Sequence, residues 1–172
     1  RHLAAAPCGP PRRPDRARTE YEKVLEAKPD DTATLLNLAR LDLQERKGEA
    51  AAKRLRAVLA VDPKNLAAQL GMAAVARLSG DAKDAAQWMS RVAADHADSL
   101  PAMLAVTHFY LATRDYGQAV QAANAAVRLG PDSAAALNMR GLAQLGSGDG
   151  AAAITSLQQA VQKSPQATGY RL

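Results

Sequence analysis

A period of 34 residues runs through most of this sequence, and it constrains the fold more than any other feature. Proline recurs at this interval, with Ala97 in the one place where it is missing: Pro29, Pro63, Pro131 and Pro165. Alanine recurs at the same interval without a gap: Ala17, Ala51, Ala85, Ala119 and Ala153. A fixed period of this length is typical of repeat proteins, in which each unit packs only against its neighbours. The sequence therefore predicts a stack of similar units.

Each period contains two helical segments with a short turn between them. In the last period, apolar residues recur at helical spacing on both sides of the glycine-rich turn at 146–150. The residue before each first helix is a good N-cap, which accepts a hydrogen bond from a free backbone N–H: Asp31, Asn65, Ser99 and Ser133. An aspartate takes the same place before three of the second helices: Asp81, Asp115 and Asp149. Proline near the end of a unit stops the second helix, because proline cannot continue its hydrogen bonds.

These signals divide the chain into a leader and an array. Residues 1–15 are rich in proline and arginine, and we predict that they are disordered or extended. The array, 16–172, comprises a half repeat, full repeats and the start of a further helix: 16–31, 32–65, 66–99, 100–133, 134–167 and 166–172. Both ends of the array are incomplete in this division. We therefore expect a piece of a longer protein, with uncapped ends that self-associate.

The composition favours helices and no other element. Apolar residues make up 48% of the chain, but aromatic residues make up only 3%, because alanine dominates. Alanine has the highest helix propensity, and its small side chain lets helices approach closely. No apolar run approaches the roughly 20 residues that a helix needs to cross a bilayer, so no membrane insertion is predicted.

The recurring positions resemble the repeat of the tetratricopeptide repeat (TPR) family. Its 34-residue unit is a helix–turn–helix with the pattern W-x2-L-G-x2-Y, then A-x3-F, then P. The second half matches well, as in Ala51, Leu55 and Pro63. The first half matches more loosely, because Arg140 stands where an apolar residue is usual and Gln69 replaces the aromatic residue.

The resemblance, which covers residues 16–172, implies a fold and a function. The implied fold is all-α: an α-α superhelix, or TPR solenoid, of antiparallel helix pairs. Arrays of this family bind other proteins, so the implied function is a protein–protein interaction scaffold that holds a partner peptide or protein in a concave groove. Carried over by position, the first helices contribute these groove residues: Leu36, Asn37, Arg40, Leu70, Arg77, Leu104, His108, Leu111, Asn138 and Leu142.

The chemistry of these groove residues narrows the expected partner. Some family members grip a terminal carboxylate with lysines and asparagines, but the corresponding sites here hold Leu36, Arg40, Leu70 and Ala74, so this clamp is absent. A groove that is apolar with a few cations suits an amphipathic or acidic-apolar segment. The alternative, that Arg40 and Arg77 are ordinary solvated surface residues, stays open at this point.

Within the family, the alanine-rich tandem repeats are most similar to long bacterial arrays of the cell envelope. One such group comprises the TPR proteins of the PEP-CTERM/exosortase systems, which are linked to exopolysaccharides. This similarity implies a bacterial protein of the cytoplasm or periplasm, with an envelope-associated parent protein. It also suggests an alternative function, as a structural spacer or multimerisation segment of a larger envelope or exopolysaccharide-export assembly.

A second alternative is nucleic-acid binding through the basic leader. The formal net charge is +5, and most of it lies in residues 1–18, where Arg12, Arg13, Arg16 and Arg18 are candidates to contact phosphates. The rest of the chain is nearly neutral and has no row of aromatic residues on which bases would stack. These features disfavour nucleic acid as the partner.

No reaction chemistry is visible in the sequence. His2, His96 and His108 are too few and too scattered for a metal site. No nucleophile stands beside a base, and no pair of carboxylates marks a cleft. We therefore predict that the protein is not an enzyme and that it has no catalytic residue, cofactor or metal.

Overall fold

The computed structural model describes residues 13–164, with side chains from Arg16 to Ser164. Within this range every regular element is an α-helix. The helices are α1 (Arg13–Ala27), α2 (Thr32–Gln44), α3 (Gly48–Val61), α4 (Leu66–Leu78), α5 (Ala82–Asp95), α6 (Leu100–Ala112), α7 (Tyr116–Leu129), α8 (Ala134–Gly146) and α9 (Gly150–Lys163). The chain divides into two compact units between Asp81 and Ala82.

The first unit contains α1 to α4, and small residues let its helices pack closely. Helix α3 packs against both α2 and α4, while α2 also contacts α1 and α4. The core between α2 and α3 contains Leu38, Ala51 and Val58, which are fully buried. Ala51 is one of the alanines that recur every 34 residues. The recurring alanine therefore marks a position where two helices are in contact.

The second unit contains α5 to α9 and follows the same plan. Consecutive helices pack from α5 to α9, and α6 also contacts α8. Its periodic alanines Ala119 and Ala153 are buried. Gly141 is buried where α8 meets α9, and a Cβ atom there would lie 2.6 Å from the Cγ atom of Leu157. The glycine therefore permits the close approach of these two helices.

The N-caps predicted before the first helices are confirmed. Asp31 Oδ2 accepts a hydrogen bond from the Thr34 backbone N–H at 2.9 Å, and Asn65 Oδ1 accepts one from Ala68 at 3.1 Å. Ser99 and Ser133 cap α6 and α8 in the same way. Two of the predicted second caps are also present, since Asp115 and Asp149 accept bonds from the first turns of α7 and α9. Capping thus sets the start of each of these helices.

The first helix begins earlier than the sequence indicates. It starts at Arg13, whereas the predicted boundary between leader and array is at Arg16. The proline at position 14 lies in the first turn, where a helix needs no backbone N–H donor, so it does not block the helix. The predictions for residues 1–12 and for the further helix at 166–172 lie outside the described residues.

A left-handed residue recurs at the turn between the two helices of a repeat. Arg46, Gly80, Arg114 and Gly148 follow one another at the 34-residue interval, and their φ angles are 60°, 77°, 60° and 91°. Glycine adopts this conformation freely, whereas a residue with a Cβ atom is strained in it. Two of the four turns therefore carry a strained arginine.

We expect the substitution Arg114→Gly to raise the free energy of unfolding by about 0.5–1 kcal/mol. The backbone strain that it relieves in the folded state outweighs the conformational entropy that glycine adds to the unfolded chain. Thermal or urea unfolding would measure the change. The matched control is Gly148→Ala, which should lower the stability by about 1 kcal/mol although nothing lies within 4 Å of the added Cβ atom. A destabilised Arg114→Gly protein would contradict the strain argument.

Candidate partner-binding site

In the first unit, the exposed sides of α2 and α4 form a pocket of about 320 Å³. Three of the predicted groove residues, Leu36, Asn37 and Arg40, line this Asn37 pocket. The remaining lining residues come from α2, α3 and α4: Ala39, Leu43, Leu55, Ala67 and Gly71. The structure therefore brings three of the predicted residues together around one depression.

A second pocket of about 340 Å³ lies next to the first, and Leu43 lines both. This Arg77 pocket contains the predicted groove residue Arg77, with Arg46, Ala74 and Leu78. The first half of α4 lines the Asn37 pocket, and its second half lines the Arg77 pocket. On the α2 side the lining advances in the same direction, from Leu36 to Leu43 and then to Arg46, just beyond the end of α2. The two helices therefore run side by side in the same direction, with the pockets in a row between them.

Small residues of α4 create the depth of this surface. Gly71, Ala67 and Ala74 face α2, and a Cβ atom on Gly71 would lie only 2.8 Å from the Cδ2 atom of Leu55. Ala67, Gly71, Leu43 and Arg46 are absent from the residues predicted by family position, and Ala74 entered there only as a position of the absent clamp. The intervals of four and three residues between Ala67, Gly71 and Ala74 are the sequence signal that places them on one face of α4.

The surface around the two pockets is positively charged. Arg40, Arg46 and Arg77 are exposed, and none of them forms an ion pair within the described part of the chain. Helix α4 contains no acidic residue. The acidic residues at the end of α2, Asp42 and Glu45, are paired with other cations. The three arginines are therefore available to a bound molecule.

The remaining predicted groove residues take different places. Leu70 is half-buried and lines neither pocket. In the second unit, Leu104 and Leu111 are half-buried on α6, and His108 is exposed between them. Asn138 and Leu142 are exposed on α8, which contacts α6. The predicted residues of the second unit thus include no arginine or lysine, in contrast to those of the first.

Two family models match the chain, and both describe the tetratricopeptide repeat. One matches residues 42–107 and the other residues 110–168. The chain belongs to the tetratricopeptide repeat family. Its predicted fold class, an all-α TPR solenoid, is confirmed. The fold of this family is in general a non-enzymatic scaffold. A role as a scaffold for protein–protein interactions, in this coarse sense, holds for the present TPR protein.

Solved structures of TPR proteins share this fold. A crystal structure of MamA has 22% identity and a TM-score of 0.69, over 92% of this chain and 87% of MamA. YrrB, described as a TPR protein with an unusual peptide-binding site, has 15% identity and a TM-score of 0.66, over 90% and 80% of the two chains. A thermophilic TPR protein of Thermus thermophilus, TTC0263, has 19% identity and a TM-score of 0.67, over 91% and 86%. No curated protein sequence matches the chain.

A buried ion cluster joins the first three helices of this TPR protein. Asp42 is only 1% exposed, and its carboxylate binds Arg18 Nη1 of α1 and Arg54 Nε of α3, each at 2.8 Å. Arg18 also binds Glu45 at 3.1 Å, and Lys47 binds Glu45 at 2.6 Å. The nucleic-acid alternative named Arg18 as a candidate to contact phosphates. That assignment is wrong, because Arg18 is held inside the fold by two carboxylates.

Two carboxyl groups of the first unit, one of them in this cluster, have lowered pKa values. Hydrogen bonds from Lys47 and then Arg18 lower the pKa of Glu45. Hydrogen bonds from Thr34, together with the charge of Lys28, lower the pKa of Asp31. In both cases the folded state favours the deprotonated carboxylate. Each group therefore stabilises the fold above its unfolded pKa, and this contribution is lost as the pH falls through its folded pKa.

We expect the stability of this TPR protein to fall as the pH drops from about 5 to below 4. The double variant Asp31→Asn, Glu45→Gln should show a smaller fall, because neither amide titrates, and asparagine still caps a helix as Asn65 does. Urea unfolding at a series of pH values would measure the effect. Glu26→Gln, at an exposed position of α1, is the control. Equal pH dependence in the wild type and the double variant would contradict the prediction.

Three further observations concern the described residues. The outer side of α9 exposes Ile154 and Val161, beside a shallow depression that Leu157 also lines. Within the described residues, no group of three or more metal-binding side chains comes together. Across the same part of the chain, no helix combines the length and the apolar character needed to span a bilayer.

Proposed function

We propose that this TPR protein is a non-enzymatic scaffold that binds a partner peptide or protein on the faces formed by the first helices of its repeats. The observation that carries the proposal is the pair of pockets on the α2/α4 face, lined by Leu36, Asn37, Arg40 and Arg77. Pockets that combine apolar walls with a few polar groups are the usual form of a recognition surface.

Two further facts support the proposal. Leu142, on the first helix of its repeat, has 44% of its surface accessible and is therefore open to contact with a partner. YrrB, a TPR protein of the same fold, has a peptide-binding site. This likeness supports a peptide or protein as the kind of partner that the present chain takes.

Site-specific photo-crosslinking tests the proposal. A photo-reactive phenylalanine analogue would replace Asn37, His108 or Asn138 on the first helices, and Arg56 or Gln121 on the second helices as controls. All five side chains are at least partly accessible. In extract of the source organism, we expect one protein partner to cross-link from the first-helix positions, and to be lost on competition with the unmodified chain. Cross-links that form only from Arg56 and Gln121 would refute the proposal.

A further inference from the structure

The two pockets of the first unit lie at a spacing that selects the shape of a bound segment. Along α4 the midpoints of the lining residues are offset from 67–71 to 74–78. This offset of about seven residues corresponds to about 10.5 Å at a helical rise of 1.5 Å per residue. A segment that fills both pockets must therefore present two side chains about 10 Å apart on one side.

A helix meets this requirement and an extended segment does not. In an extended chain, side chains on one side are two or four residues apart, or about 7 and 13 Å. In an α-helix, residues seven apart lie on the same face at about 10.5 Å. The residue midway between two such anchors would lie over Leu43, the residue that both pockets share. The geometry therefore favours a helical partner.

The charges around the pockets determine which sign of charge a partner should carry. Arg40 borders the Asn37 pocket, and Arg46 and Arg77 border the Arg77 pocket. Asp42 and Glu45, the nearest acids on α2, are neutralised by Arg18, Arg54 and Lys47. The three arginines consequently present positive charge that no acid of this face compensates. Carboxylates, which pair well with arginine, are the complementary groups.

We infer that the α2/α4 face binds an acidic amphipathic helix, with two apolar side chains seven residues apart in the two pockets and carboxylates against Arg40, Arg46 and Arg77. This inference rests on the proposed function and names the partner class for one of its faces. Single-stranded nucleic acid also carries negative charge, but the lining of both pockets contains no aromatic side chain on which bases would stack.

Selection from a library of displayed helical peptides, randomised on one face, tests the inference on the full chain. We expect the selected peptides to share two apolar residues seven positions apart and an excess of Asp and Glu. Replacing the acids of the consensus peptide by Asn and Gln should weaken its binding by about tenfold or more, measured by fluorescence anisotropy. Selected peptides without the acidic excess or without the spacing of seven, or an empty selection, would overturn the inference.

Charge reversal locates the binding surface. The variant Arg40→Glu, Arg77→Glu should lose the acidic peptide by at least about tenfold and should bind a version with Lys in place of its acids. Lys53→Glu, Arg56→Glu changes the net charge equally at exposed positions of α3 and should bind as the wild type does. An equal loss of peptide affinity in the two variants would overturn the inference. If the charge-reversal variant Arg40→Glu, Arg77→Glu does not fold, the neutral variant Arg40→Gln, Arg77→Gln takes its place in the comparison.

The outcomes separate this inference from the function on which it rests. Cross-links from Asn37, His108 and Asn138, combined with selected peptides that are not acidic, would support the scaffold function and refute the acidic helix as the partner. Cross-links from the second helices alone would remove both. Binding of single-stranded RNA that depends on Arg40 and Arg77, with no acidic helix selected, would replace the peptide by nucleic acid as the ligand of this face.

Discussion

The substitution Asp42→Ala is expected to lower the free energy of unfolding by about 3 kcal/mol. The Asp42 carboxylate is 1% exposed and satisfies Arg18 and Arg54 at the same time. Removing it leaves two guanidinium groups next to each other without their shared partner. Both arginines retain about a fifth of their surface in contact with solvent, so partial relaxation places the expected effect at the lower end for a buried pair.

The same variant should loosen α1 more than the other helices. Arg18 is the residue of α1 that binds the cluster, and Asp42 holds it together with Glu45. Hydrogen exchange should therefore show reduced protection in α1 of Asp42→Ala, while urea unfolding reports the overall loss. Glu26→Ala, at an exposed position of α1, is the control and should change the stability by less than about 0.5 kcal/mol.

A double-mutant cycle isolates the interaction between the charges. Adding Arg54→Ala to Asp42→Ala should cost less than Arg54→Ala alone, because the arginine has already lost its carboxylate. We expect the two effects to deviate from additivity by about 1 kcal/mol or more. Strict additivity would mean that Asp42 and Arg54 do not stabilise each other. An unchanged stability of the Asp42→Ala protein would mean that the cluster contributes no net stability.

Much of this fold was predictable because its signals are local. A cap residue acts on a backbone N–H three positions away, so Asp31 and Asn65 mark the starts of α2 and α4 in the sequence itself. The 34-residue period adds that each such start recurs. The start of α1 was predicted three residues too late. The sequence does not distinguish a proline in the first turn of a helix, such as that at position 14, from a proline in an extended leader.

Departures from the family pattern were visible in the sequence, but their reasons were not. Arg140 takes an apolar position because Ser156 and Gln159 of α9 accept hydrogen bonds from it at 2.9 and 3.0 Å. Gln69 is fully buried and donates from its amide to the Pro63 carbonyl at 3.0 Å. For Arg140 the partners lie on another helix, which the period of the repeat does not identify.

The candidate site was predictable in part, because the repeat pattern is also visible in the sequence. Family position indicated Leu36, Asn37, Arg40 and Arg77, since a repeat assigns each position to a face. It could not indicate which positions form pockets, because depth depends on the size of residues facing one another across two helices. Whether a partner binds these residues stays a prediction, as do the likeness to envelope arrays and the spacer alternative.

The substitution Leu55→Ala is expected to lower the free energy of unfolding by about 3 kcal/mol. Leu55 is 2% exposed, and its side chain fills the space that the missing side chain of Gly71 leaves free. Truncation removes buried apolar surface and opens a cavity that the close-packed helices cannot fill by relaxing. The matched control on the same helix is Val61→Ala, because Val61 is 69% exposed and its loss should change stability by less than about 0.5 kcal/mol.

Gly71→Ala provides the decisive partner variant for Leu55→Ala. In the protein that retains Leu55, the Cβ atom added at position 71 would lie 2.8 and 2.9 Å from the two Cδ atoms of Leu55. The gain of about 1 kcal/mol in helix propensity is therefore offset by overpacking. In the Leu55→Ala protein the same Cβ atom has room, and it should restore about 1 kcal/mol. Urea unfolding of the four proteins would measure this coupling. Additive effects would show that Leu55 does not pack against Gly71, whereas the expected coupling would mean that one contact both stabilises α3 against α4 and sets the depth of the Asn37 pocket.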